Sequence, residues 1–196
     1  RQATFIRRPS SIVRRLFLVS ASALHSDALA RYQNGQYPEA ALLFEQAAAA
    51  YRADGERALS AEMLNNLGVV YRAQKNYPAA LTIIESALAD FRALDDPPRI
   101  ALALGNLGSV LLETGRLDRA AAVLIESFEL LDPRTDKAPR SEILRVLGEV
   151  RLKQGKLVEG LADYDAGLRD VDTPNAQQRW LRKLLDVAVR MMGRKQ

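Results

Sequence analysis

The side chains that could do chemistry are few, and their spacing does not suit it. The chain has one histidine, His25, and no cysteine. His25 falls in a stretch expected to be helical, with no His, Cys or acid beside it at metal-ligand spacing. Asp163 and Asp165 lie two residues apart, so a helix points them in different directions. Asp95-Asp96 precedes Pro97 and reads as a turn signal. Neither G-x-x-x-x-G-K-[ST] nor G-x-G-x-x-G occurs, which removes the usual phosphate and dinucleotide cradles. No Ser is placed to pair with a Lys as nucleophile and base. Arg7-Arg8-Pro9-Ser10 has the layout of a basic-directed kinase site, and equally of a flexible arm whose Ser10 or Ser11 caps a helix. The expectation is a chain without catalytic residues, metal or cofactor.

Composition points the same way. Of 196 residues, 48% are hydrophobic and 27% charged, ordinary for a globular protein. The charge is unevenly spread. Of 28 basic and 24 acidic residues, five Arg and no acid lie in residues 1–26, and six basic residues and one acid follow from Arg179 onward. That leaves 17 basic against 23 acidic residues between them. An acidic body between basic ends argues against nucleic acid as the main ligand, because such a binder concentrates basic charge on its working surface. No apolar run is long enough to span a membrane. The Arg-rich start followed by Leu16-Phe17-Leu18-Val19 has the layout of a signal or transit sequence. Its apolar run is only four residues, so an arm leading into the first helix, in a cytoplasmic protein, is the simpler expectation.

The elements become legible through a repeat. Leu67-Gly68 recurs as Leu107-Gly108 and Leu147-Gly148, with 40 residues between copies. In the same frame Ala40, Ala80, Ala120 and Gly160 correspond, as do Tyr37, Tyr77, Leu117 and Leu157. Gly35, Gly115 and Gly155 mark a turn, with Lys75 as the exception. Each unit reads as two helices. In the second unit these are Ser60–Gln74, with apolar Leu64, Leu67, Val70 and Tyr71 at helical spacing, and then Pro78–Phe91. Asp95-Asp96-Pro97-Pro98 is expected to close that unit. Gly68, Gly108 and Gly148 are expected where the two helices of a hairpin approach closely, with Ala80 and Ala120 as small partners. Packing there outweighs a loss of about 1 kcal/mol in helix propensity.

This pattern resembles the tetratricopeptide repeat. The motif is carried by Leu67, Gly68, Tyr71, Ala80, Ile84 and Ala87, and by Leu107, Gly108, Leu111, Ala120, Leu124 and Ser127. The usual period is about 34, so a period of 40 resembles the long-repeat subclass of kinesin light chains and bacterial regulators. Asp27 in the first unit and Arg151 in the fourth depart from the motif. The resemblance implies an all-α fold, a right-handed α-solenoid of four repeats plus a C-terminal capping helix. The expected layout is a basic arm over 1–19, units at about 20–57, 58–97, 98–137 and 138–175, and a capping helix with a basic tail over 176–196. The cap is expected to pack through Trp180, Leu184, Val187, Ala188 and Met191.

First helices would line a concave groove, and the resemblance assigns the groove positions. Leu29 and Tyr32 come from the first unit. Asn65, Val69 and Arg72 come from the second, and Ser109, Leu112 and Glu113 from the third. Arg145 and Glu149 come from the fourth. Asn66 and Asn106, one period apart, resemble kinesin-light-chain positions that hydrogen-bond the backbone of an extended peptide; a structural bond to a neighbouring helix or loop explains them equally. Arg72 and Arg145 would select acidic partner residues. A carboxylate clamp of the co-chaperone kind would need His25, Leu29, Asn66, Leu102 and Asn106, and only Asn66 fits. The expected function is a non-enzymatic scaffold or adaptor that binds a peptide segment of another protein. A peptide-sensing or inhibitory module of a larger regulator, and a self-assembling homo-oligomer, remain open beside it.

Overall fold

The computed structural model describes residues 20–169 and, beyond them, Arg179, Trp180, Lys183 and Val187. Eight helices fill the continuous stretch: α1 (Ala21–Gln33), α2 (Tyr37–Ala53), α3 (Arg57–Ala73), α4 (Tyr77–Ala93), α5 (Pro97–Glu113), α6 (Leu117–Glu129), α7 (Lys137–Lys153) and α8 (Leu157–Arg169). No strand occurs among the described residues. The helices pair as four hairpins, α1/α2, α3/α4, α5/α6 and α7/α8, and each hairpin stacks on the next.

Local chemistry sets the helix ends. Ser20, Asn76 and Asp96 each accept a backbone N–H through the side chain at an N-terminus, satisfying donors the helix cannot. Pro97 and Pro98 do not close the second unit as expected; they open α5, because Pro has a preset φ and no N–H to lose there. The hairpin turns pass through left-handed backbone at Gly35, Gly115 and Gly155 and, in the second hairpin, at Lys75 (φ 59°). The third connection is different. Asp132 and Pro133 end α6 early, and the loop is tied by Asp132 N–H to the Asp136 carboxylate at 2.8 Å. The Arg140 guanidinium donates to Leu131 O at 3.0 Å and lies 3.8 Å over the Phe128 ring.

The core runs between the two helices of each hairpin and on into the next. Phe44, Ile84 and Leu124, one period apart, are fully buried. They explain the Leu-Gly pairs. A Cβ on Gly68 would sit 2.3 Å from Ile84 Cγ1, and one on Gly108 2.6 Å from Leu124 Cγ. The glycine thus makes room first for the large side chain sixteen residues on. The fourth hairpin is tighter still, for a Cβ on Gly148 would meet Tyr164 Cδ2 at 2.7 Å and Gly160 O at 2.9 Å. Ser60 and Ser127, both buried, donate to Ala48 O and Ala101 O and lock neighbouring helices together.

First helices touch one another along the stack, α3 with α5 and α5 with α7. Second helices α4 and α6 are instead linked by ion pairs between long side chains, Arg92–Glu126 and Arg119–Glu85. The side with the closer spacing is the inside of the curve, so the first helices form the concave face of an α-solenoid.

The C-terminal expectation is corrected in part. Trp180 and Val187 are helical but 62% and 56% exposed. They share a stripe with exposed Lys183. Burying that stripe would bury an ammonium, so Trp180 and Val187 do not pack as the forty-residue frame expects. Leu184, Ala188 and Met191 lie outside the described residues, as do residues 1–19.

Candidate ligand-binding groove

The concave face holds two clefts, one on each side of α5. The first, about 170 Å³, is walled by Leu102, Gly105 and Ser109 of α5 and by Pro139, Ile143 and Val146 of α7. The second, about 360 Å³, lies between α3 and α5, with Glu62, Asn65 and Asn66 on one side and Pro98, Arg99 and Leu102 on the other. Leu102 belongs to both walls and is 54% exposed. Gly105 is buried, because a Cβ there would meet Ile143 Cδ1 at 2.5 Å. The missing side chain lets α7 seat against α5 and leaves Leu102 as the ridge.

The residues assigned to the groove separate on this face. Leu29 is exposed. Tyr32 stacks at a tilt on Tyr37, ring centroids 5.7 Å apart. Val69 and Ser109 are half-buried, and the Ser109 hydroxyl donates to Gly105 O at 3.1 Å. Leu112 is 7% exposed and belongs to the core. This correction follows from α5 being the central first helix, covered by neighbours on both sides.

The adjacent asparagines also divide. Asn65, also 7% exposed, accepts from Asn106 Nδ2 at 3.2 Å through its Oδ1. The amide bridge between α3 and α5 therefore joins Asn106 to Asn65, and Asn66 takes no part in it. Asn66 is half-buried and makes no side-chain hydrogen bond among the described residues.

Charges on this face are paired. Arg72 Nε faces Glu113 at 3.7 Å. Arg145 donates to both oxygens of Glu142, at 2.8 and 2.6 Å, and these bonds hold its guanidinium strongly protonated. Glu149 pairs with Lys153 at 3.3 Å. Arg99 bridges Asp96 at 2.6 Å and Glu62 at 3.1 Å. Burial pushes the Asp96 carboxyl up, but the Arg99 side-chain and backbone hydrogen bonds outweigh it and hold the carboxyl low. Nothing in the sequence marks Arg99 as an organiser. Its signal would have been the position of Glu62 one helix away, which depends on how the units stack.

Away from the groove, Arg151 replaces the usual Tyr and donates to both oxygens of Asp163, at 2.8 and 2.7 Å. Asp163 sits one period past Val123 and two past Ile83, so the fourth hairpin holds an ion pair where the second holds Tyr71 and Ile83. No group of three or more His, Cys, Asp or Glu could hold a metal among the described residues. Among them, no helix is long and apolar enough to cross a membrane.

A stack of helical hairpins with an open inner face defines a helical-repeat scaffold. Residues 59–132, the second and third hairpins, match the tetratricopeptide-repeat family model. Such repeats are in general non-catalytic scaffolds for protein–protein contact. Among solved structures, the chain is similar to BtubC (BKLC) from P. vanneervenii, with TM-score 0.69 and 21% identity over 84% of this chain and 72% of that one. It is also similar to Pseudomonas aeruginosa pilF, with TM-score 0.51 and 16% identity over 90% of this chain and 93% of that one. At such identities the likeness is one of fold alone. No curated protein matches the sequence.

Proposed function

We propose that the chain is a non-enzymatic adaptor that holds a segment of a partner protein along its concave face. One observation carries this reading: the two clefts share Leu102 as a common wall and open on the inner face, where a chain can lie across successive first helices. Exposed apolar surface beside fixed polar groups suits such docking. Site-specific photo-crosslinking tests it. A photoreactive residue at Ser109, on the groove, is expected to yield discrete protein adducts in cells. The same group at Leu42, 55% exposed on α2, is expected to yield none. Adducts from Leu42 and none from Ser109 would refute the proposal.

Self-association is a second reading, favoured by the outward stripe of Trp180 and Val187. Sedimentation of the intact chain and of Trp180→Ser tests it. A dimer lost on substitution supports it, and a monomer throughout excludes it.

A further inference from the structure

What the groove selects can be read from its charges and its ridge; this step rests on the groove reading above. The clefts are lined by Arg72 and Arg99 against Glu62, Asp96 and Glu142, one negative charge in excess. Each of the two arginines already has an acidic partner, Glu113 for Arg72 and Asp96 with Glu62 for Arg99. Arg145, assigned above as a selector of acids, is held by Glu142 on two bonds. An acidic ligand would have to exchange one ion pair for another and leave a freed glutamate facing its own carboxylate, which gains nothing. A basic ligand would find each acid already held by an arginine, with only the one charge that Glu62 and Asp96 share across Arg99 left over.

The groups not so engaged are uncharged. Leu102 is more than half exposed between the clefts. Ile143 and Val146 wall one cleft, and Phe91 and Pro98 wall the other. The Asn66 amide has both a donor and an acceptor to offer. Asn106 spends its Nδ2 on Asn65, which leaves its Oδ1 as an acceptor.

We infer that the groove takes an extended, uncharged segment of a partner protein, with two apolar side chains seated astride Leu102, one in each cleft. The segment's backbone lies against the Asn66 and Asn106 amides. One helix diameter, about 10 Å, separates the clefts. At about 3.3 Å per extended residue and with alternate side chains on one face, the two anchors stand two or four positions apart. Binding of this kind is nearly indifferent to salt, unlike recognition by exposed charge.

Selection from a displayed library of random linear peptides on the intact chain tests the inference. Leu102→Gln serves as the control; the position is exposed, so the variant is expected to melt with the parent. The expected peptides carry two apolar residues two or four apart, with no enrichment of Asp, Glu, Lys or Arg. A synthetic copy should bind Leu102→Gln at least about tenfold more weakly, the loss of one buried leucine contact. Its Kd on the parent should move less than about twofold across a tenfold change in salt. Peptides rich in acids, weakened by salt and by Arg72→Gln, would overturn this inference while upholding the groove. Peptides bound equally by Leu102→Gln would overturn it too, and would place the contact elsewhere. Failure to select any peptide would count against both the inference and the groove reading.

Discussion

At the scale of single residues, the adjacent asparagines carry the clearest lesson. A helix turns each residue by about 100°, so Asn65 and Asn66 diverge. Asn65 faces α5 and is bonded there, and Asn66 stays on the groove wall. The sequence made the period between Asn66 and Asn106 visible. It did not reveal that Asn106 reaches one residue back, since that depends on the relative rotation of two helices. Asn106→Ala should therefore cost about 1 kcal/mol, by leaving the buried Asn65 acceptor unpaired, whereas Asn66→Ala should leave melting unchanged; chemical denaturation of both variants distinguishes them. Asp96 gives a pH prediction. Its carboxyl is held low in the folded state by Arg99, so its contribution is present above the ordinary carboxylate value of about 4 and is lost as pH falls through the folded value. Asp96→Asn keeps a capping side chain but cannot ionise. Its stability deficit against the parent, followed by urea melts from pH 7 to about pH 2.5, should shrink on acidification. A constant deficit would mean that the ion pair adds nothing to the cap.

At the scale of helices, the hairpin contacts rank the substitutions. Gly108→Leu should destabilise by several kcal/mol, because even a Cβ would enter the space of Leu124 and overpacking forces helices apart. Gly160→Ala, a smaller change, should still cost about 1–3 kcal/mol. Its Cβ would lie 2.9 Å from Gly148 O, and a backbone carbonyl cannot swing away as a side chain can. Thermal melts of both variants measure this, and an unchanged midpoint would contradict the close-approach account. The Arg151–Asp163 pair is argued at the same scale. Burial raises the Asp163 carboxyl despite Arg151 beside it, so the pair is under desolvation cost. Either single change, Arg151→Tyr or Asp163→Ile, should destabilise by roughly 2–4 kcal/mol by stranding a charge, while the double change, copying Tyr71 and Ile83, should come near neutral. A double-mutant cycle reads the coupling directly. The hairpins themselves were legible because Leu-Gly and the turn glycines recur at one interval. The ion pair was not, because Arg151 looked only like a departure from the motif until Asp163 was seen to lie opposite it.

At the scale of the whole molecule, the repeat frame sets the hairpins, while the cover over each side chain depends on where its helix stands in the stack. That is why Leu112, assigned to the groove by register, lies in the core, and why Trp180 and Val187 point outward. The larger core cluster spans α3 to α7 and the smaller one spans α1 to α3. In a nearly one-dimensional stack, stability is a sum of units and junctions. Native-state hydrogen exchange should therefore be slowest in α5 and fastest in α1; uniform protection would show the stack to be a single cooperative unit. The concave face as the binding surface is the claim on which the functional account rests. An amide-resolved nuclear magnetic resonance titration of the intact chain with a selected peptide tests it most directly. The account predicts that the shifted amides fall on α3, α5 and α7, centred on Leu102. Shifts confined to α2, α4 and α6, with the first helices silent, would contradict it.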